Sequence, residues 1–354
     1  MKLAFVCSNY GSIQDGIGHY CSKIVAKVKE IYPAFTVEVF TGNTVGRGKT
    51  SLIISLTMTA ALFRTGISVI SGRTNCVIIE YPFYEWNPIV LIAIWFNKVA
   101  LWLCSGKLII SLHEYKRANF LRQCMIRHIV SISDIIFATE PQDIAGLVHH
   151  KKIVYQRYIP SNIEPVVKSF EQRFKPNSFC YFGLISKAKA FEEMLKGWKK
   201  FNSKRIYELH VCTSSDYVYL IEDMIKYNVS VHLKCNEREV SDILSMCEFG
   251  ILPIMPFVST NNATLKAMLL HGCIPIGKID PRCDDFAKLF IEMESYHPDE
   301  FALAITKAVS LPHQVKEDLR VQGTAYAKNF TLEKTCQKII ENISEVCYEN
   351  SASK

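Results

Sequence analysis

Short apolar runs and stretches of helical spacing alternate along most of this chain. Lys2–Cys7, Thr36–Phe40, Cys76–Tyr81, Lys107–Leu112 and Ile135–Thr139 are nearly uninterrupted runs of aliphatic and β-branched residues. Strands buried on both faces of a parallel sheet have this form. Between them, His19–Ile31 and Phe120–Ser131 place apolar residues three and four apart, which predicts helices. The rhythm breaks over Tyr158–Pro165, a loop holding Pro160, Asn162 and Pro165. It then restarts with strands at Phe179–Leu184, Tyr207–Cys212, Ser230–Leu233, Phe249–Pro253 and Ile274–Ile276. Helices are expected at Phe191–Phe201, Tyr217–Tyr227, Glu239–Cys247 and Thr264–His271, and terminal ones at Leu319–Lys328 and Leu332–Val346.

Two such alternations predict an α/β protein with two doubly wound, Rossmann-like domains and a cleft between them. The length of 354 residues also suits two domains better than one core. The expected division is residues 1–165, residues 166–325, and a terminal helix over 326–354 packing back on the first domain. Ligands of such sheets bind beyond the strand C-termini, so candidate residues are sought there.

Charge and cysteine usage narrow the setting. Residues 1–165 carry 17 Lys and Arg against 10 Asp and Glu, whereas 166–354 carry 24 of each, so the whole formal charge of +7 belongs to the first half. It is densest at Lys107, Lys116, Arg117, Arg122, Arg127 and His128, near two apolar stretches, Leu52–Phe63 and Pro88–Cys104. Neither stretch reaches the roughly 20 residues of a membrane span. Each reads either as a buried core helix or as a segment lying on an anionic bilayer. A nucleic-acid partner is not expected, since no aromatic-interleaved basic motif or zinc finger occurs. Thirteen cysteines without a C-x-x-C pair argue against zinc ribbons and thioredoxin-type motifs. With no export signal, they read as reduced thiols of a cytoplasmic protein, peripheral on the inner face of the plasma membrane.

Four segments carry candidate chemistry. The loop Ser8–Tyr20 contains Asp15, Gly16, Gly18 and His19; its glycines allow close backbone approach and the next helix offers amides to an anion. A dinucleotide fingerprint fails on spacing, because Gly16 comes too long after the strand and Cys21 holds the third glycine position. His113 and Glu114 stand at the exit of the fourth strand, with no His-x-x-x-His or His-x-His partner that would suggest a metal. Gly183, Lys187 and Lys189 lie where a strand gives way to a helix, suited to a diphosphate by charge and by helix-end amides. The strongest local signal is Ser259, Thr260, Asn261, Asn262 and Thr264. Capping needs one such residue, and five within six positions suggest a bound anion.

Together these segments resemble the glycosyltransferase family 4 group of GT-B enzymes. The Gly-Ile-Gly loop, the strand Ile78-Ile-Glu-Tyr-Pro82 and Ser111-Leu-His113 are similar to that family's N-terminal half. Tyr181-Phe-Gly183 with Lys189 resembles its Gly-Arg-x-x-x-x-Lys-Gly element, and Leu265-Lys-Ala-Met268 through Pro275 its Leu-Glu-Ala-Met helix. Four positions depart from the pattern. Leu184 stands for the arginine, Ala190 for the following glycine, and Val258 and Lys266 for a pair of glutamates. Some divergent relatives carry a Ser/Thr-rich loop instead of that pair, and Ser259–Thr264 looks similar to theirs.

The resemblance implies transfer of a sugar from a nucleotide-diphosphate donor to an acceptor, and the basic, apolar first domain suggests a glycan or lipid-linked acceptor on an anionic membrane surface, in surface polysaccharide synthesis. The resemblance implies no cofactor and no metal. Lys189 and the Ser259–Thr264 loop would hold the diphosphate, the base would lie near Lys234–Arg238, and His113 would face sugar or acceptor. Asp15, His19, His113 and Glu114 are the first-domain groups able to act as a base, with Lys116 and Arg117 beside them, and the resemblance favours retention. A sugar-nucleotide epimerase or phosphorylase, or a non-catalytic sugar-nucleotide or lipid-binding relative, stays open as an alternative.

Overall fold

The computed structural model describes residues 1–11, 16–42, 51–81, 88–113, 115, 119–139, 144, 153–156, 159–161, 163–166, 175–185, 189–213 and 225–352. It forms two compact units: Met1–Tyr158 with Leu332–Lys354, and Ile159–Thr331. The division expected at residue 165 therefore moves back to Tyr158. The reason is local: the Ser161 amide donates to the Phe330 carbonyl at 3.3 Å, and Lys266 donates to the Ile159 carbonyl, so this stretch is held by the second unit.

In the first unit, strands β1 (Lys2–Ser8), β2 (Thr36–Gly42), β3 (Cys76–Tyr81), β4 (Lys107–Leu112), β5 (Ile135–Ala138) and β6 (Ile153–Gln156) form one parallel sheet in the order β2-β1-β3-β4-β5-β6. Strand order reverses between β1 and β3, which places a ligand crevice at their C-terminal ends. Both faces of the central strands are covered, as their unbroken apolar runs require. Helix α1 (Gly16–Ile31) packs with the terminal helix Leu332–Ala352, whose Cys336, Ile339, Ile340 and Ile343 join the core formed by Leu3, Phe5 and Ile78. The opposite face carries α2 (Ser51–Ile70), α3 (Pro88–Leu103) and α4 (Phe120–Ile132) over Val6, Ile79, Leu108 and Ile110. The two apolar stretches are thus helices with one buried side each. Among the described residues no helix is long and apolar enough to cross a membrane.

In the second unit, β7 (Lys175–Phe182), β8 (Glu208–Thr213), β9 (Val229–Leu233), β10 (Cys247–Leu252), β11 (Ile274–Gly277) and β12 (Ile291–Glu292) give a parallel sheet in the order β12-β11-β10-β7-β8-β9. Its switch point lies between β7 and β10. Helix α5 (Phe191–Phe201) buries Phe191, Met194 and Trp198, with α9 (Pro298–Ser310) beside it. On the other face lie α6 (Glu237–Met246), α7 (Ala263–Leu270) and α10 (His313–Ala327), with the single turn α8 (Asp284–Ala287) nearby. The expected helix Tyr217–Tyr227 falls mostly outside the described residues; its end, Ile225–Tyr227, is a 3-10 turn.

Candidate functional site

The switch point of the second sheet gathers several expected residues. The chain leaves β7 at Gly183, whose amide donates to the Cys212 carbonyl at 3.0 Å and whose φ of +140° is one that glycine alone adopts without strain. It returns at Lys189, which bridges to Ile254 just beyond β10, and the Ala190 amide donates to the Pro253 carbonyl at 2.8 Å. The two switch-point strands are thereby tied together at the start of α5. A Cβ placed on Gly183 would lie 2.8 Å from the Lys189 Nζ and 3.9 Å from the Thr264 Oγ1, so glycine here leaves room for an ammonium group.

That ammonium belongs to a half-buried side chain. Lys189 Nζ donates to the Tyr181 hydroxyl at 3.4 Å and lies 5.6 Å from the centre of the tyrosine ring. The Tyr181 hydroxyl donates onward to the Leu184 carbonyl at 2.8 Å. Burial lowers the Lys189 pKa to about 8 and pushes that of Tyr181 up. A cation whose charged form is disfavoured by partial burial gains from an anion brought beside it.

Helix α7 supplies the second half of this corner. Ser259 to Asn262 form a turn closed by the Asn262 amide on the Ser259 carbonyl at 3.1 Å, and the Asn262 side chain caps the helix by accepting from the Leu265 amide at 2.9 Å. The amides of Ala263 and Thr264, in the first turn, have no partner inside a helix and point beyond it, at the positive end of the helix dipole. Thr260 hydrogen-bonds with Cys283, at the start of α8. Gly183, Lys189 and Thr264 are therefore brought together, with Ser259, Thr260, Asn261 and Asn262 in the adjoining turn.

Lys234 and Arg238 are exposed beyond β9, on the edge of the sheet two strands from β7. Lys234 takes a left-handed φ of +50°, and Asn236 with Glu239 forms a reciprocal cap on α6. They do not join the cluster around Lys189.

Val258 and Lys266 stand where the resemblance would put glutamates, and both are fully buried. Lys266 donates to the Ile159 carbonyl and its Nζ lies 4.4 Å from the centre of the Phe330 ring; burial lowers its pKa to about 7.

At the switch point of the first sheet, His113 follows β4. Its amide donates to the Tyr81 carbonyl at 3.1 Å, and the Thr139 hydroxyl donates to its carbonyl at 3.0 Å, which fixes the backbone. The imidazole Nε2 lies 2.9 Å from the Glu80 carboxylate, and the Tyr20 ring meets it edge-on at 5.8 Å. Glu80 is wholly buried within β3. With the proton on Nε2, this pair leaves Nδ1 as an acceptor. Sequence reasoning gave Glu80 no role, although one carboxylate within an apolar buried strand was the signal available.

Gly18 closes the loop after β1: a Cβ there would come within 2.1 Å of the Asn9 carbonyl oxygen, and the Gly11 amide donates to the Gly18 carbonyl at 3.1 Å. Gly16 begins α1 and His19 is half-buried in its first turn. Asp15, Glu114, Lys116, Arg117 and Lys187 lie outside the described residues. Among the described residues no group of three His, Cys, Asp or Glu is arranged to hold a metal ion.

No protein-family model matches this sequence, and no curated protein matches it either. Solved structures do match in fold. A sucrose-phosphate synthase from Thermosynechococcus elongatus superposes with a TM-score of 0.69 at 13% identity, covering 99% of both chains. The lipopolysaccharide outer core galactosyltransferase WaaB, in its apo form, gives 0.63 at 14% identity, covering 98% of this chain and 99% of that one. The pneumococcal O-GlcNAc transferase, solved with UDP and GlcNAc, gives 0.58 at 15% identity over 80% of this chain and 59% of that one. With its two parallel six-stranded sheets and their flanking helices, the chain has the GT-B fold, as its motifs led us to expect.

Proposed function

We propose that this protein is a glycosyltransferase that moves a sugar from a nucleotide-diphosphate donor to a glycan acceptor, lipid-linked or membrane-bound, in surface polysaccharide synthesis. The observation that carries the reading is the Gly183–Lys189–Thr264 corner: a half-buried ammonium, a hydroxyl and helix-end amides converge on one spot. As the bond from the anomeric carbon to the diphosphate breaks, negative charge grows on the departing oxygen. Lys189 and the first amides of α7 meet it with fixed positive charge, the kind of preorganised stabilisation that speeds such a step. The neighbours that are glycosyltransferases or sugar-phosphate synthases by name support the same class.

Retention is the favoured outcome. Val258 and Lys266 leave no carboxylate at the two positions where the resemblance would place one, so a side-chain nucleophile is lacking there. Attack would come on the face the diphosphate leaves, with the departing oxygen taking the acceptor proton. His113 then holds a sugar or acceptor hydroxyl through Nδ1, oriented by Glu80. The Glu80–His113 pair also supports a second reading, inversion, because a carboxylate behind an imidazole is how a general base is oriented.

A thermal-shift panel of UDP, GDP, CMP and dTDP sugars tests donor binding; a ligand at 100 times its Kd adds about 2.7 kcal/mol of stability. Lys189→Ala is expected to leave the fold intact and lower turnover at least tenfold. Unchanged rate and donor affinity would remove Lys189 from the site. The anomeric coupling of the product by NMR separates the two stereochemical outcomes: inversion, with activity lost in His113→Ala, assigns the base to His113.

A further inference from the structure

Helices α2, α3 and α4 contain no aspartate or glutamate, against Arg64, Lys98, Arg122, Arg127 and His128, of which Lys98 is paired at 2.6 Å with Asp134, just beyond α4. They pack in series, α2 on α3 and α3 on α4, over one face of the first sheet. Helix α3 buries Val90, Ile94 and Leu101 and turns Ile89, Ile92, Trp95, Val99, Trp102 and Leu103 to solvent. At about 100° per residue, those six fall on one sector roughly 140° wide, running about 21 Å along the helix. Trp102 is 73% exposed, and Phe120 and Leu121 extend the apolar surface onto the start of α4 at 72% and 64%.

One cation, Arg127, is exposed on α4 beside this surface, and the Trp95 indole donates to His128 Nε2 at 2.7 Å, whereas Arg122 is half-buried over the ring of the buried Tyr81, 5.6 Å from its centre. A contiguous exposed apolar face of this size marks an interaction site. Two tryptophans within an apolar sector that is free of carboxylates and edged by Arg127 match the chemistry of the lipid headgroup boundary. A second copy of the chain would set cations against cations.

We propose that this face docks on an anionic lipid bilayer, with α3 lying in the plane of the interface and Arg127 of α4 among the headgroups. This deepens the reading above by naming where the acceptor is met, and rests on that reading for this consequence alone. Binding to lipid does not depend on donor chemistry.

The full-length chain is sedimented with phosphatidylcholine vesicles, with and without phosphatidylglycerol, at low and high salt. Wild type is expected on the anionic vesicles and to leave them as salt rises. Arg127→Gln should weaken that partition about fivefold, from about 1 kcal/mol for one charge near the surface. Ile92→Ser with Trp102→Ser should weaken it at least tenfold at any salt. Melting temperature and far-UV circular dichroism show that both variants stay folded.

Wild type that ignores phosphatidylglycerol, or variants that sediment like wild type, would overturn the proposal. So would a wild-type dimer that Trp102→Ser converts to a monomer, because a second copy would then cover the face. The sugar-nucleotide thermal shift on the same samples keeps the two readings apart. Vesicle binding without any donor shift leaves the docking face standing and removes the transferase reading; a donor shift without vesicle binding does the reverse.

Discussion

Gly18, in the helix after β1, and Gly183, the residue after β7, each follow the first strand of a parallel sheet, yet the missing Cβ serves different ends. At Gly18 the space is filled by backbone: Asn9 O would stand 2.1 Å from a Cβ. The glycine lets α1 close down on the strand exit, and no cation lies among the groups nearest that Cβ position. At Gly183 the nearest group is the tip of a flexible side chain, the Lys189 ammonium, with Thr264 Oγ1 behind it. One glycine allows packing and the other leaves room for charge. Gly-rich turns after a strand are therefore not interchangeable signs of phosphate binding; what distinguishes them is whether a cation fills the room.

The pair of alanine variants should break this symmetry with the largest effect. Gly18→Ala drives a methyl into a carbonyl oxygen that can move only with its backbone, so a loss of about 3 kcal/mol or more is expected in urea unfolding. Gly183→Ala meets a side chain that can swing aside, leaving the strain at φ +140°, of order 1–3 kcal/mol. Its larger consequence should be on donor affinity, because the displaced group is the ammonium. Equal stability losses, with donor binding untouched by Gly183→Ala, would erase the distinction.

The second unit holds another lysine whose pKa burial lowers, and it sharpens the comparison from inside the same domain. Lys266 is fully buried, with only a backbone carbonyl and an aromatic face for company. Burial holds its pKa at about 7 against an ordinary 10.5. Between those values the unfolded chain carries a proton that the folded one lacks, so stability rises with pH across that window. Replacing Lys266 by the similarly shaped methionine should remove this rise. The stability gap between Lys266→Met and wild type should shrink by about 2 kcal/mol from pH 7 to pH 9, measured by urea unfolding at each pH. A constant gap would mean that Lys266 does not titrate in this range.

The contrast between the two lysines also marks what could be read before the fold was known. The strands of both sheets were legible because burial on both faces leaves unbroken apolar runs, as in Cys76–Tyr81 and Phe249–Leu252. Strand β12 is two residues long and β6 only four, Ile-Val-Tyr-Gln, too short to leave a period. The Lys189 corner was legible because its residues sit at strand exits, where sequence position alone implies a place near the switch point. Lys266 showed only as a missing glutamate, since its partners Ile159 and Phe330 are far away in the chain. Glu80 gains meaning only from His113 on the neighbouring strand, and that pairing depends on the register of β3 with β4. The apolar stretches around α2 and α3 read equally as core or as surface, and each helix turned out to have both sides.

The smallest effect predicted here bears most directly on charge at the Gly183 corner. Lys189 has a pKa of about 8 in the free protein because burial disfavours its charged form. A sugar diphosphate brings negative charge beside it and favours the ammonium, so binding above about pH 8 must take up a proton. The diphosphate of a sugar nucleotide has no ionisation of its own near this pH, which leaves the lysine to set the dependence. Donor affinity should therefore be flat below pH 8 and fall toward tenfold per pH unit above it, or about 1.4 kcal/mol per unit. Isothermal titration in two buffers of different ionisation enthalpy counts the proton directly. Lys189→Met should bind more weakly at pH 7 and show neither the slope nor the uptake. If that variant keeps the slope, the titrating group lies elsewhere, and the room beside Gly183 would be packing space like that at Gly18.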